Sequence, residues 1–465
     1  MFGIKRFIYF VCMMVLLTTI SSCANNPESA ATDTDLPPNE NADLLFTPSP
    51  VNTPPHTSTP EEMVTSTPSP EPLPTVKAQC VNDISESQKL DLQGVLVLNR
   101  PYKQVDFQAM DESGQYQAFD YGFYFFNLNN KQIIKSISDG LLEQVSPDGK
   151  YLAYIHYDSS GDKMFLGILD NNGKAVNDFS LFIDGGWQDY YNWQNSELIR
   201  IVATRGAVKV SSRFLDPFTK SHSLLKTDWN DTYNPANPYV DNVADWKFDR
   251  RATKTFNVYG ANILYDPTLT RVVYPKDDSV VSLVDVESET ELASAKFTDW
   301  GRIPSWSPNG EYLTILNHEG NADEFYIVSK DGGEFQRITN FAEELGFATI
   351  TDYTWSPDST LIAFWLNTGQ DEVADGEQSE LAIMDVSSKQ VTRLCIQGIS
   401  TNAYDPWTML HPEPVWSPDG KYIMFTQWDD VDNPRNFYVL VVDPTTGELE
   451  NISQNTAPIG WMIAP

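Results

Sequence analysis

Positive charge is scarce in this chain of 465 residues, which has 31 Lys and Arg against 64 Asp and Glu. The formal net charge at pH 7 is therefore −33. So large a negative charge argues against nucleic acid or an anionic membrane surface as a ligand, because both would be repelled. Long apolar runs are missing too, since the N-terminal run extends only from Phe7 to Leu17 and is too short to span a bilayer comfortably.

The common catalytic motifs are also absent. The sequence has no Gly-x-Ser-x-Gly elbow, no Gly-rich phosphate loop and no His-Glu-x-x-His. Without the elbow and without a segment that could form a hydrolase domain, a serine peptidase is not expected. We therefore predict a protein that is not an enzyme and that has no catalytic residues and no cofactor.

The N-terminus is typical of a secreted protein. Lys5 and Arg6 precede the short apolar run, and Ile20-Ser21-Ser22-Cys23 follows it. This ending resembles the lipobox of bacterial lipoproteins, which implies that residues 1–22 are a signal peptide and that Cys23 carries the lipid. The alternative is an ordinary signal peptide with an incidental Cys. The expected location is the cell envelope, outside the cytoplasm, with the lipid in the membrane.

Residues 23–79 are predicted to be a disordered tether. Within 24–76 there are twelve Pro, eight Asp or Glu, and no Lys or Arg. Such a composition cannot form a core and gives an extended, semi-rigid chain.

Cysteine is rare, with four residues in all. Once residues 1–22 are removed, Cys80 and Cys395 are the only ones left besides Cys23, and the compartment permits oxidation. Cys80 precedes the first blade and Cys395 ends the outer strand of the sixth. We predict a disulfide between Cys80 and Cys395, with two free buried thiols as the alternative.

What the chain does contain is a repeat. Val415-Trp416-Ser417-Pro418-Asp419-Gly420-Lys421-Tyr422-Ile423-Met424-Phe425 has close copies that begin at Trp306 and Trp355, and a fourth without the Trp begins at Val145. Pro, then Asp or Asn, then Gly is the composition of a tight turn, so each copy predicts a β-hairpin. The second strand is almost wholly apolar, which indicates a sheet that is buried on both faces. Another hairpin follows each copy, and four strands per repeat predict a propeller blade.

These segments resemble the blade repeats of TolB-type propellers, a WD-repeat-like family, over roughly residues 90 to 465. The resemblance implies an all-β domain at 80–465 with a general binding role. It does not extend to the small α/β domain that precedes the propeller in TolB. We expect seven four-stranded antiparallel blades, with six or eight as alternatives. The C-terminal segment Ile459–Ile463 is predicted to supply the missing first strand of the N-terminal blade and so to close the ring.

In such a blade the turns between strands one and two and between strands three and four lie at one end, here called the turn face. The remaining links lie at the opposite end, the loop face, and in this chain they hold nearly all the loop length. Long loops on a rigid scaffold are where binding usually resides. The predicted binding residues on the loop face are Trp407, His411, Trp428, Asp430, Trp229 and Trp246. Their aromatic rings could stack on sugars or anchor a protein of the envelope, although several could simply pack the loops onto the blades.

Two weaker alternatives involve metals. Oligogalacturonate lyases with similar repeats hold a divalent metal with a His cluster, and His156, His318 and His411 lie near strand ends here. The chain lacks the closely spaced second His and Gln of that family, so no metal site is assigned and a metal-dependent polysaccharide lyase is the alternative function. Acidic loops at 158–162, 371–377 and 429–433 could bind Ca²⁺, but none has full calcium-loop spacing.

Overall fold

The computed structural model describes residues 76–78, 89–99, 122–138, 140–158, 164–181, 187–205, 209–218, 239–240, 264–275, 280–297, 304–369, 378–399, 413–428 and 437–465. The chain divides into two compact units, Met1–Pro72 and Leu73–Pro465, and all the described residues belong to the second. No helix of the described ranges is long and apolar enough to span a bilayer. The predicted signal peptide, Cys23 and most of the predicted tether lie outside these ranges.

The described residues are almost entirely β-structure. In chain order the strands are β1 (Val76–Ala78), β2 (Val95–Asn99), β3 (Phe123–Asn127), β4 (Gln132–Ile137), β5 (Leu141–Val145), β6 (Tyr151–Tyr157), β7 (Met164–Asp170), β8 (Ala175–Leu181), β9 (Trp187–Asn195), β10 (Leu198–Arg205), β11 (Lys209–Leu215), β12 (Tyr239–Val240), β13 (Leu264–Tyr265), β14 (Arg271–Pro275), β15 (Val280–Asp285), β16 (Glu291–Lys296), β17 (Ser305–Trp306), β18 (Tyr312–Glu319), β19 (Ala322–Ser329), β20 (Gly332–Arg337), β21 (Thr349–Trp355), β22 (Leu361–Asn367), β23 (Gln378–Asp385), β24 (Gln390–Ile399), β25 (Val415–Trp416), β26 (Ile423–Trp428), β27 (Phe437–Val442), β28 (Leu449–Gln454) and β29 (Pro458–Met462). One short helix, α1 (Phe341–Glu344), lies between β20 and β21.

Within the described ranges these strands form seven sheets, which we call blades. Blade 1 is β29-β2-β3-β4, blade 2 is β5 to β8, blade 3 is β9 to β12, blade 4 is β13 to β16, blade 5 is β17 to β20, blade 6 is β21 to β24, and blade 7 is β25 to β28. Neighbouring strands among these four per blade are antiparallel, as predicted, and β1 adds to blade 6 as a fifth strand that pairs in parallel with β24. The number of sheets equals the predicted number of blades, although the count for the whole chain stays a prediction.

Blade 1 joins the two ends of the folded unit. The C-terminal strand β29 pairs antiparallel with β2, with Val95 opposite Met462 and Leu96 opposite Trp461. The prediction that the segment around Trp461 supplies the first strand of the N-terminal blade is therefore confirmed. This pairing covers the edge of β2, which protects that strand from pairing with another chain, and it makes β29 the end strand of the sheet.

Each blade packs on the next. Buried apolar side chains fill the spaces between blades 1 and 2, 2 and 3, 4 and 5, 5 and 6, 6 and 7, and 7 and 1. Blades 3 and 4 are joined by Gln194, whose Nε2 donates to the carbonyl oxygens of Tyr265 at 3.1 Å and Asp266 at 2.8 Å. The second strands are buried on both sides, as their apolar composition predicted: Ile362, Ala363, Phe364 and Trp365 of β22 are all fully buried.

The recurring Trp fills space between two blades and can also donate a hydrogen bond from one blade to the preceding one. Trp355 and Trp416 are each about nine-tenths buried, and each indole N–H donates to the preceding blade. Trp416 bonds the carbonyl oxygen of Thr354 at 3.3 Å, and Trp355 bonds the hydroxyl of Thr314 at 3.3 Å. Trp193 of the degenerate third blade keeps the same arrangement with the carbonyl oxygen of Gln144 at 3.0 Å. At these three positions a large ring with one polar edge fills space and still satisfies its donor, whereas the buried indole N–H of Trp306 in blade 5 has no hydrogen-bond partner among the described residues.

Candidate functional site

The polar side chains of the Ser-Pro-Asp-Gly turn bond one another and the backbone, which explains why the repeat contains them. In blade 7 the buried Ser417 hydroxyl donates to Asp419 Oδ1 at 2.7 Å and accepts from the backbone N–H of Tyr422 at 2.9 Å. The fourth turn position has a positive φ, which is +72° at Gly420 and +64° at Ser359 of blade 6. Glycine adopts that conformation freely, whereas for another residue the conformation costs roughly 1–2 kcal/mol.

The turns also contact one another across the blades at the turn face. Asn309 of blade 5 donates its backbone N–H to the hydroxyl of Ser359 in blade 6 at 3.1 Å. Asn195 of blade 3 donates to the carbonyl oxygen of Pro267 in blade 4 at 2.8 Å. A Cβ placed on Gly149 of blade 2 would lie 3.3 Å from Pro418 Cγ of blade 7. The polar groups of these turns are thus largely used within the protein.

The C-terminal tail adds to this face. The backbone N–H of Ile463 donates to the carbonyl oxygen of Gly149 at 2.9 Å. The amide of Asn171 donates to the carbonyl oxygens of Ile463 at 3.3 Å and Ala464 at 3.1 Å. The chain end therefore ties blade 1 to the turns of blade 2.

Most of the predicted binding residues cannot be placed. Trp229, Trp246, Trp407, His411 and Asp430 lie outside the described residues. Trp428 is the last residue of β26 and is paired with Phe437, so its backbone lies at the loop face, where it was expected. The acidic loops considered for Ca²⁺ also lie outside the described ranges, except for Asp158.

A polar network in blade 5 lies at the loop face, and the sequence patterns did not predict it. The fully buried Glu324 accepts from Arg337 at 2.7 Å, from the Thr339 hydroxyl at 2.6 Å, and from the backbone N–H groups of Phe341 and Ala342. Glu324 therefore satisfies the first N–H groups of α1 and holds the link between blades 5 and 6. No sequence motif announces it, because the partners come together only when β19 and β20 pair.

The two described His residues are held separately. His318 Nδ1 lies 2.9 Å from Asp323 Oδ1 in blade 5, and the other oxygen of Asp323 accepts the backbone N–H of Ile350 at 2.7 Å. His156 Nε2 lies 2.9 Å from Asp178 Oδ1 in blade 2. Among the described residues there is no group of three or more His, Cys, Asp and Glu placed to hold a metal ion.

Glu143 is a second feature that sequence reasoning missed. It lies on β5, the first strand of blade 2, where the ladder with β6 shifts register between Leu141 and Gln144. Burial raises the pKa of Glu143 to about 7. Burial also raises the pKa of the neighbouring Tyr191, with a further contribution from the charge of Glu143. A carboxyl group that titrates near neutral pH inside a fold is a candidate functional group.

Cys395 is disulfide-bonded. Its predicted partner, Cys80, lies outside the described residues, so the pairing stays a prediction. The expectation that Cys395 ends the outer strand of blade 6 is wrong, because β24 continues to Ile399. The strand extends further because a bulge opposite Glu380 and Ala382 accommodates Cys395 and lets pairing resume beyond it.

Comparison with known proteins gives distant similarities. No family model matches the sequence. The uncharacterized peptidase YuxL of Bacillus subtilis (strain 168) is 26% identical over 210 residues, and the match covers 38% of this chain and 31% of that protein. The chain thus spans less than a third of the length of this relative.

Two solved structures are similar at low identity. TolB from Acinetobacter baumannii has 12% identity and a TM-score of 0.35, over 84% of this chain and 98% of that one. The β-propeller domain of Cps50 (Swd1) from Myceliophteria thermophila has 11% identity and a TM-score of 0.37, over 71% of this chain and 89% of that one. Similarities this weak carry no argument about function. The fold rests on the strand pairing itself, which is that of an all-β propeller built from four-stranded antiparallel sheets.

Proposed function

We propose that the protein is a lipid-anchored module of the cell envelope, exposed outside the cytoplasm, whose propeller binds a protein or glycan without catalysing a reaction. The anchor is Cys23, and the predicted tether, residues 23–79, is free only up to β1, which begins at Val76. Support for the anchor comes from the lipobox-like sequence, and support for a binding role comes from a rigid, closed scaffold that carries long loops.

One observation carries the choice of surface. At the turn face, polar groups of several turns are bonded within their own turn, to a neighbouring turn or to the C-terminal tail, so these groups are satisfied without a ligand. The longest links of the chain belong to the loop face, at which β26 ends with Trp428. We therefore assign the binding surface to the loop face, with Trp407, His411, Trp428 and Asp430 at its centre and Trp229 and Trp246 beside them.

The test compares matched aromatic substitutions on the two faces. Trp407→Ala and Trp428→Ala should each abolish capture of the partner by crosslinking from native membranes, or binding to an array of envelope glycans, without lowering the melting temperature. Tyr312→Ala is the control, since Tyr312 begins β18 at the turn face and is 40% exposed. Equal loss of binding in the Tyr312 variant, or full binding by both Trp variants, would overturn the assignment.

No observation favours the metal-dependent lyase. That activity requires several metal ligands at one site, whereas His156 and His318 lie on blades 2 and 5 and each contacts its own Asp. The partial relationship to a protein named as a peptidase does not favour proteolysis either, because this sequence has no Gly-x-Ser-x-Gly elbow.

A further inference from the structure

The N-terminal strand β1 extends blade 6. It pairs in parallel with the outer strand β24, with Val76 opposite Val391 and Ala78 opposite Arg393. The backbone N–H of Val76 donates to Glu344 Oε2 at 2.7 Å, and Lys77 Nζ donates to Gln390 Oε1 at 3.3 Å. Residues predicted as tether thus form a fifth strand, and the chain meets the propeller on blade 6 instead of blade 1.

A second attachment follows before blade 1 begins. The backbone N–H of Leu90 donates to Glu450 Oε2 of blade 7 at 2.8 Å. Leu90 and Leu92 are buried in the apolar cluster between blades 7 and 1. The segment between β1 and β2 is therefore held at both ends.

The backbone at Cys395 is shaped by a buried carboxylate. Cys395 has a φ of +57°, which is uncommon for a residue other than glycine. Its backbone N–H donates to Glu380 Oε1 at 2.9 Å, and the same carboxylate accepts Arg393 Nε at 2.9 Å. The bulge that results changes the direction of the Cys395 side chain relative to a regular strand. Conformations of this kind persist where the surroundings hold them and are common at functional positions.

We propose that Cys80 is the disulfide partner of Cys395 and that the bond locks residues 76–80 onto blade 6 as a covalent strap. The end of β1 supports this pairing: Ala78 lies opposite Arg393, and Cys80 and Cys395 each follow two positions later in the sequence. Neighbouring strands lie about 4.8 Å apart. The spacing between β1 and β24 at their last pair is therefore of the size that a disulfide requires between Cα atoms, about 4.4–6.8 Å.

Formation of the strap is a two-electron oxidation. The two thiols lose two protons and two electrons as the S–S bond forms, and a protein disulfide outside the cytoplasm takes them up and becomes a dithiol. The proposal rests on the extracytoplasmic location but not on any particular ligand. Its consequence is mechanical: a pull along the tether acts on β24 and the disulfide, and not on β2, which closes the ring with β29.

Peptide mapping tests the pairing directly. Full-length protein is extracted from membranes with free thiols blocked, digested without reductant and analysed by mass spectrometry. We expect one crosslinked species that joins the peptides containing Cys80 and Cys395. A bond from Cys395 to Cys23, to Cys12 or to a second copy would overturn the proposal, as would a blocked Cys395 thiol. Because lipid labelling of Cys23 is measured separately, failure of the strap is distinguishable from failure of the anchoring proposal.

Hydrogen exchange tests the mechanical role. In the wild type, β1 protects the outer edge of β24, so Cys80→Ser and Cys395→Ser should each make the 390–396 peptide exchange about tenfold faster or more. The double variant should match the singles, since either change removes the same bond. Glu344→Gln is the control that weakens the Val76 contact and keeps the disulfide, and it should have a smaller effect. Unchanged exchange in both single variants, or additive effects in the double variant, would refute the strap.

Discussion

The Ser residue of each repeat turn is buried, and its hydroxyl makes several hydrogen bonds. Ser417 donates to Asp419 and accepts from the backbone N–H groups of Lys421 at 3.1 Å and Tyr422 at 2.9 Å. Ser146, Ser307 and Ser356 of blades 2, 5 and 6 likewise donate to the Asp or Asn two residues later and accept from the backbone N–H five residues later. These bonds explain why the repeat requires Ser and Asp at these positions as well as turn-forming residues.

Replacing the buried Ser417 with Ala should lower the free energy of unfolding by about 1–3 kcal/mol, because the backbone N–H of Tyr422 and the carboxylate of Asp419 lose their partner. The control is Ser387→Ala, since Ser387 also donates to an Asp two residues away at 2.7 Å but is exposed. That change should stay within about 0.5 kcal/mol. Urea unfolding measures both variants, and equal losses would contradict the role of burial.

The pKa values of the Asp419 and Glu143 carboxyl groups are shifted in opposite directions. Burial alone would raise the pKa of Asp419, but hydrogen bonds from Ser417 and Lys421 outweigh it and hold the pKa below its usual value. Its contribution to stability is thus present above the ordinary pKa and is lost as the pH falls through the lowered one. Glu143 is the reverse case, because its raised pKa stabilises the fold at low pH and that contribution is lost as the pH rises through about 7.

Glu143→Gln should remove this pH dependence. In the wild type, the rise of the Glu143 pKa from 4.5 to about 7 corresponds to ~3 kcal/mol of stability lost between these pH values. The variant should therefore lose less stability than the wild type between pH 4.5 and pH 8, as measured by urea unfolding at each pH. Glu197→Gln, in the exposed turn between β9 and β10, is the control and should follow the wild-type curve. A Glu143 variant that also follows that curve would contradict the prediction.

Among the strands, β29 contributes more to the stability of the domain than its five residues suggest. It buries Ile459, Trp461 and Met462 at 7%, 3% and 0% exposure, and it is the strand that joins the C-terminus to blade 1. Each such side chain contributes about 1.5–3 kcal/mol of burial. The strand also covers the edge of β2, so its loss would expose an apolar edge as well as a cavity.

Deletion of residues 459–465 should therefore lower the melting temperature of the whole domain or prevent its folding. Deletion of Ala464 and Pro465 alone is the matched control, because it leaves β29 intact and removes only the tail contact with Asn171. Circular dichroism during heating measures both. If the longer deletion melts like the full chain, β29 does not hold the ring closed.

For the whole molecule, anchoring is the prediction with the widest consequences. Wild-type protein grown with a fatty-acid probe should be labelled, and Cys23→Ala should not, because the thiol is the proposed site of acylation. Cys12→Ala is the control, since Cys12 lies within the predicted signal peptide and should leave labelling of the mature protein unchanged. Labelling of wild type and Cys23→Ala to the same extent would remove the anchor from the proposal.

The sequence alone determined the fold class, and the reason is repetition. The turn residues at Ser417, Pro418 and Gly420 act within a few positions along the chain, and so does the apolar strand that follows. Interactions between near neighbours can be read from sequence. Closure by Trp461 was also predictable, because a blade that lacked its first strand and a surplus strand at the other end of the chain complement each other.

The tertiary structure decided the features that depend on residues far apart in the chain. β1 adds to β24 more than 300 residues away, in a parallel register that no local pattern specifies. The buried charge of Glu324 is compensated by Arg337 and by the first N–H groups of α1 only because the pairing of β19 and β20 brings these groups together. The near-neutral pKa of Glu143 arises from burial, which is a property of the assembled blades. Desolvation of a side chain and contacts between residues far apart in the sequence both depend on how the blades pack. No local pattern in a single sequence specifies that packing.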